Sequence, residues 1–398
     1  MRMERLGDTA EASSGRWIGR SEALERLGVK AQTLYAYVSR GRIAARCDPD
    51  NPRRSQYAAE DIARLSAPMA PGEPAAPFVP FEHAPARGEA LIRSSLSIVS
   101  AGRLYYRGQD AIALSKTGTV EDVARLLWDS SDPNLLAGLG PRLDSAGGVS
   151  PRTRLFASLA RRAEEDVSSA GKTPEQIKAQ AASVLNEIID AVAGPGPRLF
   201  FHQRLGRGWR VLERDSPIIR QALILIMDHG VNPAVIATRA AAGGGASPAG
   251  AALAGLATFT ASPKAFELAR TIAYVIEARR DPRGAAERRM ASEGRVPGFG
   301  DAAWPDGDPR AEALIAAAQL PNDLMAIARD GETLSGVKPT IGLALALVAR
   351  RLDLPRDGAS DMLLIGRLVG LLGHALDQAT DGSPIAARLR YVGPRPGA

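Results

Sequence analysis

Apolar stripes at helical spacing, interrupted by Gly and Pro, run through most of the chain, and only a few short stretches alternate as strands do. Near the start, Ser21 is placed to cap a helix whose stripe is Ala23, Leu24 and Leu27, with Gly28 ending it. A second helix is predicted over about 31–40, carrying Leu34, Tyr35 and Val38 and stopping at Gly41. Arg42–Tyr57 holds the turn signal Asp48-Pro49-Asp50-Asn51-Pro52 and reads as a β-hairpin, followed by a third helix over Ala58–Leu65. Residues 66–93 are predicted to be a linker, because six prolines between Ser66 and Arg87 exclude a helix. Beyond it, Ser97–Val99 alternates like a strand before a turn at Gly102, and Thr119 is placed to cap a helix over Val120–Trp128. Pro151–Ala193 is helix-rich with a break at Gly171–Pro174, and a further helix is expected over Ser216–Gly230. Gly243–Ser247 is Gly-rich but lacks the Lys-Ser/Thr of a phosphate loop, so it reads as a turn between helices.

Composition narrows the class. At 398 residues the chain is long enough for two or three domains. Apolar residues make up 45%, which with abundant Ala and Leu describes a soluble, mainly α protein. The apolar runs Ala249–Leu256 and Ile341–Ala349 are well short of the roughly 20 residues that a membrane span needs. No secretory signal opens the chain, the first 15 residues read as a disordered tail, and a cytoplasmic location is expected. Cys47 is the single cysteine, which excludes an intrachain disulfide or a cysteine-based zinc site, and no other metal-ligand cluster is legible.

The net charge of +6 is concentrated early: Arg16–Leu65 carries nine Arg and one Lys against three Asp and three Glu. Two short helices around a Gly-containing turn, a basic hairpin and a closing helix resemble the winged helix-turn-helix of the MerR and excisionase group, chiefly in Leu27-Gly28-Val29 and Thr33-Leu34-Tyr35 through Gly41. The resemblance implies that the second helix enters the major groove of duplex DNA. Lys30, Arg40, Arg42, Arg53 and Arg54 would meet phosphates, and Gln32, Thr33, Tyr35 and Ser39 bases or sugar. A protein-interaction or dimerisation module is the alternative.

The remainder, about Ser94–Pro394, resembles the citrate synthases. The segments that carry the likeness are Arg103–Gly108, Asp228–Asn232 with Arg239, Pro297–Arg310 within Val296–Ala311, and Tyr391–Pro394. The likeness implies an all-helical fold with large and small subdomains, the small one over about 240–345, and a C-terminal arm embracing a partner subunit. Three positions depart from the family pattern. Asp301 stands where the family histidine polarises the oxaloacetate carbonyl. Gly342 stands where the family aspartate removes a proton from the thioester. The segment Phe259–Phe266 lacks the family's first catalytic histidine, which stabilises the enolate oxygen, and its Gly-Gly. His229, Arg310 and Arg367 match residues that hold carboxylates, although a helix-end histidine also serves the helix C-terminus. An arginine donated across the dimer is replaced by Ala386, with Arg388 and Arg390 nearby. His374 is expected to be structural, His202 to pack or cap, and His83 to be a solvated linker residue.

No cofactor is expected, and residual binding of an acyl-CoA, oxaloacetate or citrate is compatible with the residues kept. Three readings stand. The first is a non-catalytic, ligand-responsive DNA-binding regulator, homodimeric. The second is a non-catalytic subunit paired with a citrate-synthase paralogue. The third is an active citrate or 2-methylcitrate synthase with rearranged residues.

Overall fold

The computed structural model describes residues 17–27, 34, 38, 43–48, 51, 54–66, 92, 94–141, 147–381 and 385. Contacts divide the chain into two units, Met1–Ala75 and Ala76–Ala398.

In the first unit, β1 (Trp17–Gly19) leads straight into α1 (Arg20–Leu27), so Ser21 lies inside the helix and is not its cap. β2 (Ala45–Cys47) and β3 (Ser55–Ala58) are the two strands of the expected hairpin, and α2 (Ala59–Ser66) follows within a residue of its predicted start. β1 pairs antiparallel with the other edge of β3, giving the order β1-β3-β2. Three residues are too few to show a period, which is why the pattern missed β1. Ile18, Ala23, Leu34, Ile43, Tyr57 and Ile62 form the core. Of the expected second helix, Leu34 and Val38 are described and helical, and Leu34 is fully buried; the other residues, with the 1–15 tail, lie outside the described residues, as do those of the 66–93 linker other than Ser66 and Ile92.

The second unit opens on an antiparallel meander of β4 (Ser97–Ser100), β5 (Arg103–Tyr106) and β6 (Gln109–Asp110). Helices follow: α3 (Ala111–Thr117), α4 (Val120–Leu127), α5 (Pro151–Glu165), α6 (Pro174–Ala193), α7 (Phe201–Gly208), α8 (Ser216–Leu225), α9 (Pro233–Gly243), α10 (Pro248–Thr260), α11 (Pro263–Ala278), α12 (Pro282–Glu293), α13 (Pro309–Ala318), α14 (Asn322–Ser335), α15 (Ile341–Arg351) and α16 (Gly358–Asp381). Thr119 closes a capping box on α4, as expected. Seven helices, α5, α6 and α9 to α13, start with a side-chain cap followed by proline at the first helical position. Proline has no N–H to leave unsatisfied there, so the pair fixes each start sharply.

Two large apolar cores form among the described residues. The larger gathers Trp128, Leu185, Leu223, Leu368 and Leu372 among others, and the smaller is built from Tyr274, Val296, Phe299, Ile327, Leu343 and Leu347. The central element is α16. It is the one helix among the described residues long and apolar enough to cross a membrane, a length the apolar runs did not lead us to expect, but 89% of its apolar window is buried inside the protein. Its glycines set the approach of a neighbouring segment. A Cβ at Gly370 would lie 2.1 Å from the Met227 carbonyl oxygen, and one at Gly366 would lie 2.5 Å from the Ile226 side chain. The residues that follow α8 therefore press directly on the α16 backbone.

Candidate functional site

That pressed segment carries the first site residue. α8 ends at Leu225, five residues before the expected end, and the chain runs through Gly230 at φ 94° to Asn232, which caps α9 by accepting from Ala234 and Val235. His229 therefore sits in an inter-helix turn, and the helix-end role considered for it does not apply. Its Nδ1 lies 2.9 Å from Arg367 Nη1. A guanidinium only donates, so Nδ1 accepts and the neutral ring carries its proton on Nε2. Burial, then the nearby Arg367, Lys264 and Arg310, hold its pKa well below the usual histidine value.

Asp228, fully buried, anchors the turn. It accepts from Ser97 at 2.5 Å, faces His374 Nε2 at 3.3 Å and pairs with Arg367 Nη1 at 3.1 Å. Burial raises its pKa, but His374, Arg367 and Ser97 outweigh this and keep the carboxyl ionised far below the usual range. His374 takes a hydrogen bond on Nδ1 from Arg239 Nε at 3.2 Å, the structural place expected of it. Arg367 is 1% exposed, donates to the Met227 carbonyl, and has no hydrogen-bond partner on Nε or Nη2.

Facing this wall is the loop that starts α13. Gly298 and Gly300, at φ 88° and 73°, turn the chain on either side of Phe299. Gly300 N–H donates to the Lys338 carbonyl and Thr340 N–H to that of Gly298, which ties the loop to the start of α15. Asp301 projects from it to Lys264 Nζ at 2.9 Å and accepts from Ala303 N–H at 3.0 Å. Burial works against the Asp301 charge, but Lys264, Ala303 and Arg310 prevail and lower its pKa. Asp308 caps α13 and closes on Arg310 through both oxygens, each 2.9 Å from a guanidinium nitrogen, while its Oδ2 also accepts from Ile341 N–H. Arg310 further stacks on Trp304, 4.8 Å from the ring centre.

Between these elements lies a cavity of about 500 Å³. It brings together His229, Arg310, Arg367, Asp301 and Gly342, which stand apart in the sequence. Five cations, Lys264, Arg270, Arg295, Arg310 and Arg367, line it against two carboxylates, Glu267 and Asp301. Gly342, in the first turn of α15, brings no side chain to it. Phe259 and Phe266 also line it, on the two sides of the short turn between α10 and α11.

The citrate synthase C-terminal domain family matches residues 86–390, well over half the sequence. The chain belongs to the citrate synthase family. Solved citrate synthases share the fold at low identity. The enzyme of Thermotoga maritima aligns at 18% identity and a TM-score of 0.60, over 77% of this chain and 94% of that one. The Thermoplasma acidophilum enzyme, solved with carboxymethyl coenzyme A and oxaloacetate, aligns at 16% and 0.60 over 77% and 94%. That of Pyrobaculum aerophilum aligns at 18% and 0.64, over 77% and 91%. No curated protein matches the chain. Within this family fold, four charged cavity residues, Lys264, Glu267, Arg270 and Arg295, escaped the sequence reading. Lys264 and Glu267 stand in the first turns of α11, signalled only by the cap and proline Ser262-Pro263, and Arg295 lies just before the Gly298 turn. The role of Asp308 was also missed, although Asp-Pro at a helix start signals a cap.

In the first unit Arg54 is exposed, next to the start of β3. Lys30, Gln32, Thr33, Tyr35, Ser39, Arg40, Arg42 and Arg53 lie outside the described residues, as do His83, Ala386, Arg388 and Arg390. Arg46, not singled out above as a contact, places its guanidinium carbon 4.3 Å from the Trp17 ring centre and donates to Gln56. His202 is buried beside Phe200.

Proposed function

We propose that this family member binds a small polycarboxylate in the cavity without joining it to an acyl group, and that its N-terminal unit is a winged helix-turn-helix that reads duplex DNA. The observation that carries the first half is Asp301, an ionised carboxylate on the cavity wall beside Lys264. Condensation at a ketone develops an alkoxide, which needs a donor there; a fixed anion opposes it. Gly342 likewise offers no base for abstracting a proton. Binding survives this exchange because Arg367 and the Nε2–H of His229 still supply donors for a carboxylate. Arg310 contributes charge to the cavity more than a free fork, since Asp308 occupies two of its nitrogens.

For the second half, the basic excess of Arg16–Leu65, the antiparallel strands β2 and β3 and the buried Leu34 support a DNA-reading module. Ligand binding in a homodimer would then bias the spacing of two such modules. The test is retardation of duplex DNA from the protein's own promoter region at rising salt, with and without citrate. No salt-dependent retardation at any concentration sinks the DNA half.

One observation favours a second reading. Lys264 and Glu267 bring an ammonium and a carboxylate into the cavity, the two chemistries an acyltransferase needs for oxyanion stabilisation and proton removal. A thiol-release assay with acetyl-CoA or propionyl-CoA and oxaloacetate separates the two. Turnover above the uncatalysed rate, abolished in Lys264→Ala and in Glu267→Gln, establishes the enzyme; its absence leaves the binding protein.

A further inference from the structure

We infer that the cavity selects a hydroxy-carboxylic acid, with Asp301 as the residue that reads the hydroxyl. This rests on the reading of the cavity as a carboxylate site and adds what the ligand carries besides its carboxylates.

The polar groups of the cavity divide by chemistry. Arg367, Arg310 and the protonated Nε2 of His229 present donors and positive charge, which suit carboxylate oxygens. Two unpartnered nitrogens on a buried guanidinium are costly, so Arg367 in particular is matched to an acceptor. Asp301 is of the opposite kind. Its Oδ2 meets Lys264 and its Oδ1 meets Ala303 N–H. Two carboxylate oxygens offer about four lone-pair sites, so acceptor capacity remains, and the side chain is 21% exposed. Glu267 differs, because Arg295 and the Gly298 N–H take one oxygen each at the foot of the turn.

A ligand group beside Asp301 must therefore donate. A ketone would set its lone pairs against the carboxylate, and a methylene would leave it unmet. An ammonium would donate but would compete with Lys264 for one anion and add a cation to a cavity that already has five. A neutral hydroxyl meets the requirement without changing the charge balance. Sites that hydrogen-bond a substrate hydroxyl reject analogues lacking it far more strongly than apolar pockets reject a change of size.

The test is calorimetric titration of the full chain with hydroxy and deoxy pairs. These are malate (both enantiomers) against succinate, and citrate against tricarballylate, with oxaloacetate and aspartate as the oxo and amino comparisons. The inference expects the hydroxy member of at least one pair to bind at least about tenfold tighter than its deoxy, oxo and amino counterparts. In Asp301→Asn, whose amide also donates, oxaloacetate should gain and the hydroxyl preference should fall to within about threefold. A deoxy, oxo or amino counterpart binding as tightly as the hydroxy acid in both pairs overturns the inference while leaving the carboxylate reading intact. Preference surviving in Asp301→Asn also overturns it. No binding of any of these acids overturns both. Should the variant fail to fold, as its thermal midpoint would report, the wild-type ranking decides alone.

Discussion

Asp308 binds four donors with one buried carboxylate: the Arg310 backbone, two nitrogens of its guanidinium, and Ile341 N–H. Removing it leaves Arg310 as an uncompensated buried charge. Asp308→Ala should cost about 3–5 kcal/mol, read as a lowered midpoint in urea denaturation. Two other residues make stability depend on pH, in opposite senses. Burial and then Asp357 push the Asp361 carboxyl up to about 7 from an ordinary value of 3.8. Between those values the folded state keeps a proton the unfolded state has lost, so stability falls as pH rises across the window. Asp361→Asn should raise the thermal midpoint at pH 8 and converge with wild type near pH 4, with a ceiling on the order of 4 kcal/mol. Burial and then Arg220 hold His202 down at about 4, against an ordinary value of 6.5. The unfolded chain protonates first, so this contribution is complete above 6.5 and is lost as pH falls toward 4. His202→Gln should flatten that part of the profile in thermal melts. At this scale motifs singled out His229, Asp301, Arg310, Gly342 and Arg367, but neither Lys264 and Glu267 nor any of the pairings. Nothing in a linear string brings Lys264 to Asp301 or gives Arg367 to both Asp228 and His229, because those contacts join segments that only tertiary packing makes neighbours.

Among the elements, helix starts were the more legible ends, since a capping side chain and a proline act within two or three residues. Helix ends were less so: α8 stops at Leu225 although Ile226 and Met227 continue its apolar run. The reason is tertiary, because the glycine face of α16 admits the extended segment and Asp228 is drawn to Arg367 and His374. β1 was missed because three residues show no period and its partner β3 lies nearly forty residues away in sequence. Asn232 ends the turn that presents His229. Asn232→Ala should cost about 1 kcal/mol in denaturant and should weaken carboxylate binding as well, since the turn loses its fixed end. A cap serving α9 alone would move only the first of these readings.

For the whole molecule, the separation into two units makes a division of labour testable. A chain beginning at Ala76 should keep any carboxylate-induced rise in thermal midpoint and lose DNA retardation. If the truncated chain still retards DNA with unchanged salt dependence, the basic patch lies in the second unit and the N-terminal reading fails. The architecture of that unit was the most legible feature of all, since its motifs are spread over the whole fold.

The glycines of α16 have a consequence for what this chain can become. Asp301 and Lys264 stand at a solvent-reached cavity, where many side chains fit, whereas any side chain at Gly370 meets the Met227 carbonyl at 2.1 Å. A saturation library sorted only for folded protein should therefore be permissive at Asp301 and Lys264 and nearly empty at Gly370. The chemistry of the cavity is open to drift, and the spacing that frames it is not.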